Sequence, residues 1–227
     1  SVRRGFTSQI IIDHVKSRDN VSIDNVTEAL DRAVDNGVKT LVVQPTHLMS
    51  GLEYNDLVDE VAQYSDAFEQ VSIGEPLLTS DEDFEAVAQA IVDATKEYDD
   101  GKTAICFMGH GTEAESNQVY AKMQNVLTDM GCTNYYVGTV EATPSLDDVL
   151  KLVQTGDYER VVLEPLMVVA GDHANNDMAG DDPDSWKSTF EAAGYEVVPV
   201  VRGLGELEAI QKLYVQHAQA AIEALNQ

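Results

Sequence analysis

Cysteine occurs only twice, at Cys106 and Cys132, so no disulfide framework holds this chain of 227 residues together. Both thiols fall in or beside apolar runs, which predicts free, buried cysteines and suits a reducing compartment such as the cytoplasm. Basic residues are scarce as well: 14 Lys and Arg stand against 40 Asp and Glu, a formal net charge of −26. A field of that sign excludes nucleic acid as a partner, because no basic patch competes with it. Acidic groups such as Asp81, Glu82, Asp83, Asp147 and Asp148 read as solvated helix faces. No apolar run approaches the roughly 20 residues that span a bilayer, and no signal-peptide pattern opens the chain. No membrane partner is expected. What remains is a globular composition, 44% hydrophobic, enough for one sizeable core or two small lobes.

Short β-rich runs alternate with helical patterns almost from end to end. Strands are predicted over 39–44, 70–74, 103–108, 135–140, 160–165 and 196–201. Most are continuous apolar runs, as in parallel strands buried on both faces. Between them lie stripes of helical period: Phe84, Val87, Ile91 and Ala94 form one. Leu146, Val149, Leu150 and Val153 form another, opened by a capping box from Ser145 to Asp148. The alternation predicts an α/β, doubly wound architecture. A weak repeat adds to this. Val42-Val43-Gln44-Pro45 precedes Gly51 and Glu53 at the same spacing as Val162-Leu163-Glu164-Pro165 precedes Gly171 and His173. Two lobes, 1–101 and 102–227, are therefore expected around a central cleft, with the last helix packing back on the first lobe. The first lobe opens directly on a short helical run, so a leading strand and helix are expected to be missing from it.

Three ligand-type residues follow three predicted strands. His110 lies in the turn after 103–108, Glu141 ends 135–140, and His173 sits in the polar loop after 160–165. Parallel strands would deliver all three side chains to one sheet edge, although the sequence keeps them far apart. Two imidazoles and one carboxylate suit divalent cobalt, iron, nickel or zinc, and three ligands leave positions open on the ion. Asp172, Asp177, Asp181 and Asp182 could orient His173 or simply be solvated acids. His14 and His217 sit in helical runs and read as structural, whereas His47 follows a strand and is a candidate pocket wall.

The segments carrying these residues resemble a known family. F-M-G-H-G-T at 107–112, V-G-T-V-E at 137–141, and especially E-P-L-M-V-V-A-G-D-H-A-N-N-D-M-A-G at 164–180 are similar to the anaerobic-type sirohydrochlorin cobaltochelatases. V-V-Q-P-T-H-L-M-S-G-L-E-Y at 42–54 is similar too, so the resemblance covers nearly the whole chain. It implies two Rossmann-like lobes with parallel sheets around a tetrapyrrole cleft, shared with class II tetrapyrrole chelatases. It further implies a metal set of His110, Glu141 and His173, with His110 as proton acceptor and His110 and Glu141 as catalytic residues. The implied reaction is insertion of cobalt(II) into sirohydrochlorin during anaerobic cobalamin synthesis, with no cofactor beyond the transferred ion. The sequence departs from the family pattern in having Ala142 where glycine usually follows the glutamate. The family's opening strand and Gly/Ser/Thr-rich loop also have no counterpart at its start.

A strongly negative protein that takes a polycarboxylate pigment needs local cations. Arg202, just after the last strand, is the expected carboxylate contact, with Arg3 and Arg4 as weaker candidates and His47 as a second substrate contact. Rival readings are a zinc hydrolase, which lacks an H-E-x-x-H signature, a non-catalytic metal or tetrapyrrole carrier, and an iron or nickel chelatase. An exposed sheet edge in the first lobe would favour a homo-oligomer.

Overall fold

A computed structural model describes residues 1–226. The chain divides into two compact units, Ser1–Pro76 joined by the chain end from Val215, and Leu77–Tyr214.

In the first unit, α1 (Gln9–Asp19) and α2 (Val26–Asp35) precede β1 (Thr40–Val43), α3 (Leu52–Ala62) and β2 (Gln70–Ile73). Asn25 starts α2 through a capping box: its Oδ1 accepts from Glu28 N, and Glu28 Oε2 accepts from Asn25 N, both at 2.9 Å. The strands pair in parallel from Thr40↔Gln70 to Val43↔Ile73. Leu30, Leu57, Val61 and Phe68 make the small core against them.

The second unit runs α4 (Asp81–Thr95), β3 (Thr103–Gly109), α5 (Gln118–Asp129), β4 (Tyr135–Thr139), α6 (Leu146–Val153), β5 (Arg160–Pro165), a π-helical turn (Ala174–Met178), α7 (Trp186–Ala192), β6 (Glu196–Pro199) and α8 (Glu208–Ala224). Its four strands are all parallel in the order β4-β3-β5-β6. All seven residues of β3 are buried, so the central strand is covered on both faces, as its unbroken apolar sequence requires. The predicted stripes face inward. Phe84, Val87 and Ile91 of α4 and Val149 and Val153 of α6 are buried, each worth about 1.5–3 kcal/mol of transfer free energy. The capping box from Ser145 to Asp148 is formed. Trp186 and Phe190 complete the core on the α6–α7 side.

All six predicted strands are present: four are one or two residues shorter at their frayed ends, 160–165 matches, and 103–108 extends by one residue to Gly109. The fold class is α/β with parallel sheets, as expected. The boundary differs: the units part after Pro76 rather than near Gly101. Helix α4 belongs to the second unit because its apolar stripe is buried there. Thr95 at its end shares a buried hydrogen bond with Tyr135 at 2.8 Å. The first turns of α8 count with the second unit, where Ile210 is fully buried, and from Val215 the helix belongs to the first. There His217 Nδ1 lies 2.9 Å from Glu75 O, and Gln70 Nε2 donates to Leu225 O at 2.9 Å.

The sequence repeat corresponds to a repeated parallel pair, β1–β2 and β5–β6, and a residue at the carboxyl end of each first strand reaches toward the next. Gln44 Nε2 donates to Glu75 O at 2.9 Å, and Glu164 accepts from Arg202. Among the described residues, no helix is long and apolar enough to cross a membrane.

Candidate metal centre

The order of the four-stranded sheet explains how remote residues meet. From β3 the chain passes to β4 on one side, then crosses to β5 on the other, which makes the carboxyl end of β3 a topological switch point. Loops leaving β3, β4 and β5 therefore open side by side, and they carry His110, Glu141 and His173.

Register then sets the first contact. The β3–β4 ladder pairs Gly109 with Thr139 and continues past both strands. Val140 N donates to Gly109 O at 3.0 Å, and Glu141 N donates to His110 O at 2.9 Å. His110 and Glu141 are thus cross-strand neighbours by backbone geometry alone.

The flanking glycines are steric requirements. A Cβ on Gly109 would stand 2.1 Å from the Tyr120 ring, whose hydroxyl accepts from Gly111 N at 3.2 Å. Gly111 has φ +85°, and a Cβ there would lie 2.8 Å from Ala142 N. Asn117 ties the two loops together, its Oδ1 accepting from Thr112 N at 3.1 Å and its Nδ2 donating to Thr143 O at 2.8 Å. Thr139 closes the turn after β4 by accepting from Ala142 N and donating to Pro144 O. Tyr120 and Asn117 were not among the residues singled out from the sequence. Only the G-H-G-T turn beside them marked the place.

His173 arrives from the other flank. Leu166 N donates to Met108 O at 2.8 Å, extending the β3–β5 ladder before the chain turns away. His173 then leads into the π-helical turn, which buried Ala174 and Met178 fasten to the core. Its Nδ1 lies 2.6 Å from Asp177 Oδ2.

His110 Nε2 and His173 Nε2 are 3.0 Å apart. Glu141 places Oε2 3.6 Å from His110 Nε2 and Oε1 3.9 Å from His173 Nε2. Among the described residues this is the one trio of His, Cys, Asp or Glu with ligand atoms gathered this way, all within 4.8 Å. An ion bound at about 2.0–2.2 Å to each ligand needs donor atoms roughly 3–3.5 Å apart, which these separations bracket. The side chains of His110 and Glu141 are about half exposed, so the trio is open on one side to an incoming partner.

The other candidates are placed differently. Arg202, the expected substrate-carboxylate contact, pairs through two of its nitrogens within the second unit. Nε and Nη2 reach Oε1 of Glu164 at 2.9 and 2.8 Å, and Nη2 donates to Ala94 O at 3.1 Å. Glu164 is 2% exposed, and burial pushes its carboxyl above the usual carboxylate range although Arg202 opposes the shift. The pairing has a chemical reason: a buried carboxylate on the neighbouring strand needs a compensating charge. His47 lies in the first unit after β1, its Nε2 4.0 Å from Glu53 Oε2, and burial holds its pKa below the ordinary imidazole value. Arg3 and Arg4 are exposed near the chain start. Of the four acids around His173, only Asp177 touches it. Asp172 accepts from Asn176, Asp181 pairs with Lys187, and Asp182 accepts from Asp184 N. Cys106 is buried and Cys132 half-buried, both as free thiols.

The sequence profile of the cobalt chelatase (CbiK) family matches residues 1–223. The chain belongs to this family. Among its relatives, the sirohydrochlorin cobaltochelatase of Salmonella typhimurium is 36% identical over 219 residues, 96% of this chain and 82% of that protein. The sirohydrochlorin cobaltochelatase CbiKC of Nitratidesulfovibrio vulgaris is 34% identical over 227 residues, 99% of this chain and 80% of that protein. Among solved structures, SirB from Bacillus subtilis with Fe3+ has a TM-score of 0.65 at 13% identity, covering 98% of this chain and 94% of that one. The sirohydrochlorin chelatase SirB from Bacillus subtilis subspecies spizizenii in complex with cobalt gives 0.60 at 14% identity, over 94% and 87%. At such identities these structures speak for the fold: the family's α/β architecture with parallel sheets. The expected resemblance is met at the level of the family.

Proposed function

We propose that this protein is a sirohydrochlorin cobaltochelatase that inserts cobalt(II) into sirohydrochlorin on the route to cobalamin, with His110, Glu141 and His173 as the metal station. The observation that carries the reading is the convergence of these three side chains, from three loops, at the carboxyl edge of the four-stranded sheet. Family membership and the names of the two chelatase relatives support the same substrate pair.

The divalent ion is the cargo. Insertion exchanges its solvent and protein ligands for four ring nitrogens while two pyrrole N–H protons leave the ring, so metal in and two protons out balance the step. Glu141 and His173 hold the ion on one side and leave its remaining positions toward the ring. His110, at the same edge, accepts a pyrrole proton as general base, a task suited to a neutral imidazole. The half-exposed face of the trio admits a flat macrocycle, and release follows once the ring outcompetes Glu141 and His173. The same donor set accepts iron(II) or nickel(II), and cobalt is preferred here on the relatives' names. We place the reaction in the cytoplasm, in keeping with two unpaired thiols.

The test mixes protein, cobalt(II) and sirohydrochlorin and follows the ring's absorption spectrum. Catalytic turnover is expected, lost by at least 100-fold in His110→Ala and His173→Ala while circular dichroism stays unchanged, a loss in the range for removing a general base. Stoichiometric binding without turnover would turn the reading to a carrier, and no response of the ring would end it.

A further inference from the structure

The two imidazoles of the trio are held in different ways. His173 Nδ1 sits 2.6 Å from Asp177 Oδ2, whereas among the described residues no hydrogen bond reaches Nδ1 of His110. The helical turn that runs from His173 into Ala174–Met178 carries both residues of the first arrangement. The two residues stand four apart, the spacing that sets side chains one above the other on a helical turn. Asp177 has no other charged partner among the described residues, since no Lys or Arg pairs with it. Its carboxylate accepts hydrogen bonds only, so the proton between the two groups belongs to Nδ1 of His173.

We propose that Asp177 is a positioning residue that holds His173 with its proton on Nδ1 and its Nε2 lone pair turned toward His110 and Glu141. The proposal rests on the trio being the metal station. It makes the imidazoles unequal. His173 is then the braced ligand, ready for an ion without rearrangement, whereas among the described residues no hydrogen bond fixes Nδ1 of His110. Carboxylates that orient a ligating histidine in this way typically change metal affinity or activity by 10–100-fold when removed.

The test titrates cobalt(II), without tetrapyrrole, into the parent protein and into Asp177→Ala, Asp177→Asn and His173→Ala. Binding is read from the d–d absorption of the bound ion, and imidazole tautomers from long-range 1H–15N correlation. Asp177→Ala should weaken cobalt(II) binding 10–100-fold. It should also raise KM for cobalt(II), leave KM for the ring unchanged, and abolish the Nδ1–H signature of His173. Asp177→Asn, which keeps an acceptor but not the charge, should fall between Asp177→Ala and the parent. A folded Asp177→Ala that binds cobalt(II) within threefold of the parent, or that keeps His173 protonated on Nδ1, overturns the proposal. If Asp177→Ala does not fold, Asp177→Asn decides by the same threefold limit. His173→Ala separates the two claims. If it too leaves cobalt(II) binding intact, the metal-station reading fails. If it abolishes binding while the Asp177 variants do not, only the role of Asp177 falls.

Discussion

Replacing Arg202 by methionine leaves the carboxylate of Glu164 stranded. In the parent, both guanidinium contacts fall on Oε1, and Oε2 is buried with no hydrogen-bond partner among the described residues. Arg202 is therefore the only charge compensation that this 2%-exposed carboxylate has among the described residues. Removing one member of a buried pair costs about 3–5 kcal/mol, because the other is left uncompensated. The cost depends on pH in a direction that can be worked out. The folded-state pKa of Glu164 is raised, by burial first, against the opposing pull of Arg202. Below the unfolded-state pKa both states are protonated and no penalty exists. As pH rises from the unfolded-state pKa toward the folded-state pKa the penalty grows, and above the folded-state pKa it levels. Without Arg202 that folded-state pKa moves higher still. Measured at pH 5.5 and at pH 8, the deficit of Arg202→Met relative to the parent should be smaller at the acid value and grow with pH, by at most about 1.4 kcal/mol per pH unit. What remains at the acid end is the loss of ordinary hydrogen bonds, about 1 kcal/mol. Adding Glu164→Gln should remove the pH-dependent part. Urea unfolding followed by Trp186 measures this, since it is the single tryptophan, is 3% exposed and lies in the second unit. A loss below 1 kcal/mol at pH 8, or an equal loss at both pH values, refutes the reasoning. A higher KM for the ring with normal stability would restore Arg202 as a substrate contact.

Two further outcomes are expected. Gly111→Ala forces a Cβ into the left-handed region 2.8 Å from Ala142 N, so it should cost about 1–3 kcal/mol and weaken cobalt(II) binding. Gly171→Ala, where a Cβ meets nothing within 4 Å, should be nearly silent, and equal effects in thermal melts would contradict the steric account. A net charge of −26 repels a polycarboxylate ring, and screening shortens that repulsion from about 30 Å at 0.01 M salt to about 8 Å at 0.15 M. At saturating metal, kcat/KM for sirohydrochlorin should rise over this range. A fall would mean that a local basic surface steers the substrate.

The sequence alone determined the elements and the kind of chemistry. Unbroken apolar runs such as 103–108 can only be strands covered on both faces, and stripes such as Phe84, Val87 and Ile91 can only be helices with one buried side. Those are local periodicities, readable without long-range information. The donor set His110, Glu141 and His173 was legible for a related reason: each directly follows or closely trails a strand, and parallel strands end at one edge. Tertiary structure decided what depends on sheet order and on competition between partners. The order β4-β3-β5 sets Glu141 and His173 on either side of His110, and no periodicity encodes strand order. Arg202 pairs with Glu164 instead of standing free because burial makes an uncompensated carboxylate costly, and only folding shows that Glu164 is buried. Helix α4 joined the second unit for a similar reason, since an apolar stripe shows that a helix is covered but not by which neighbour.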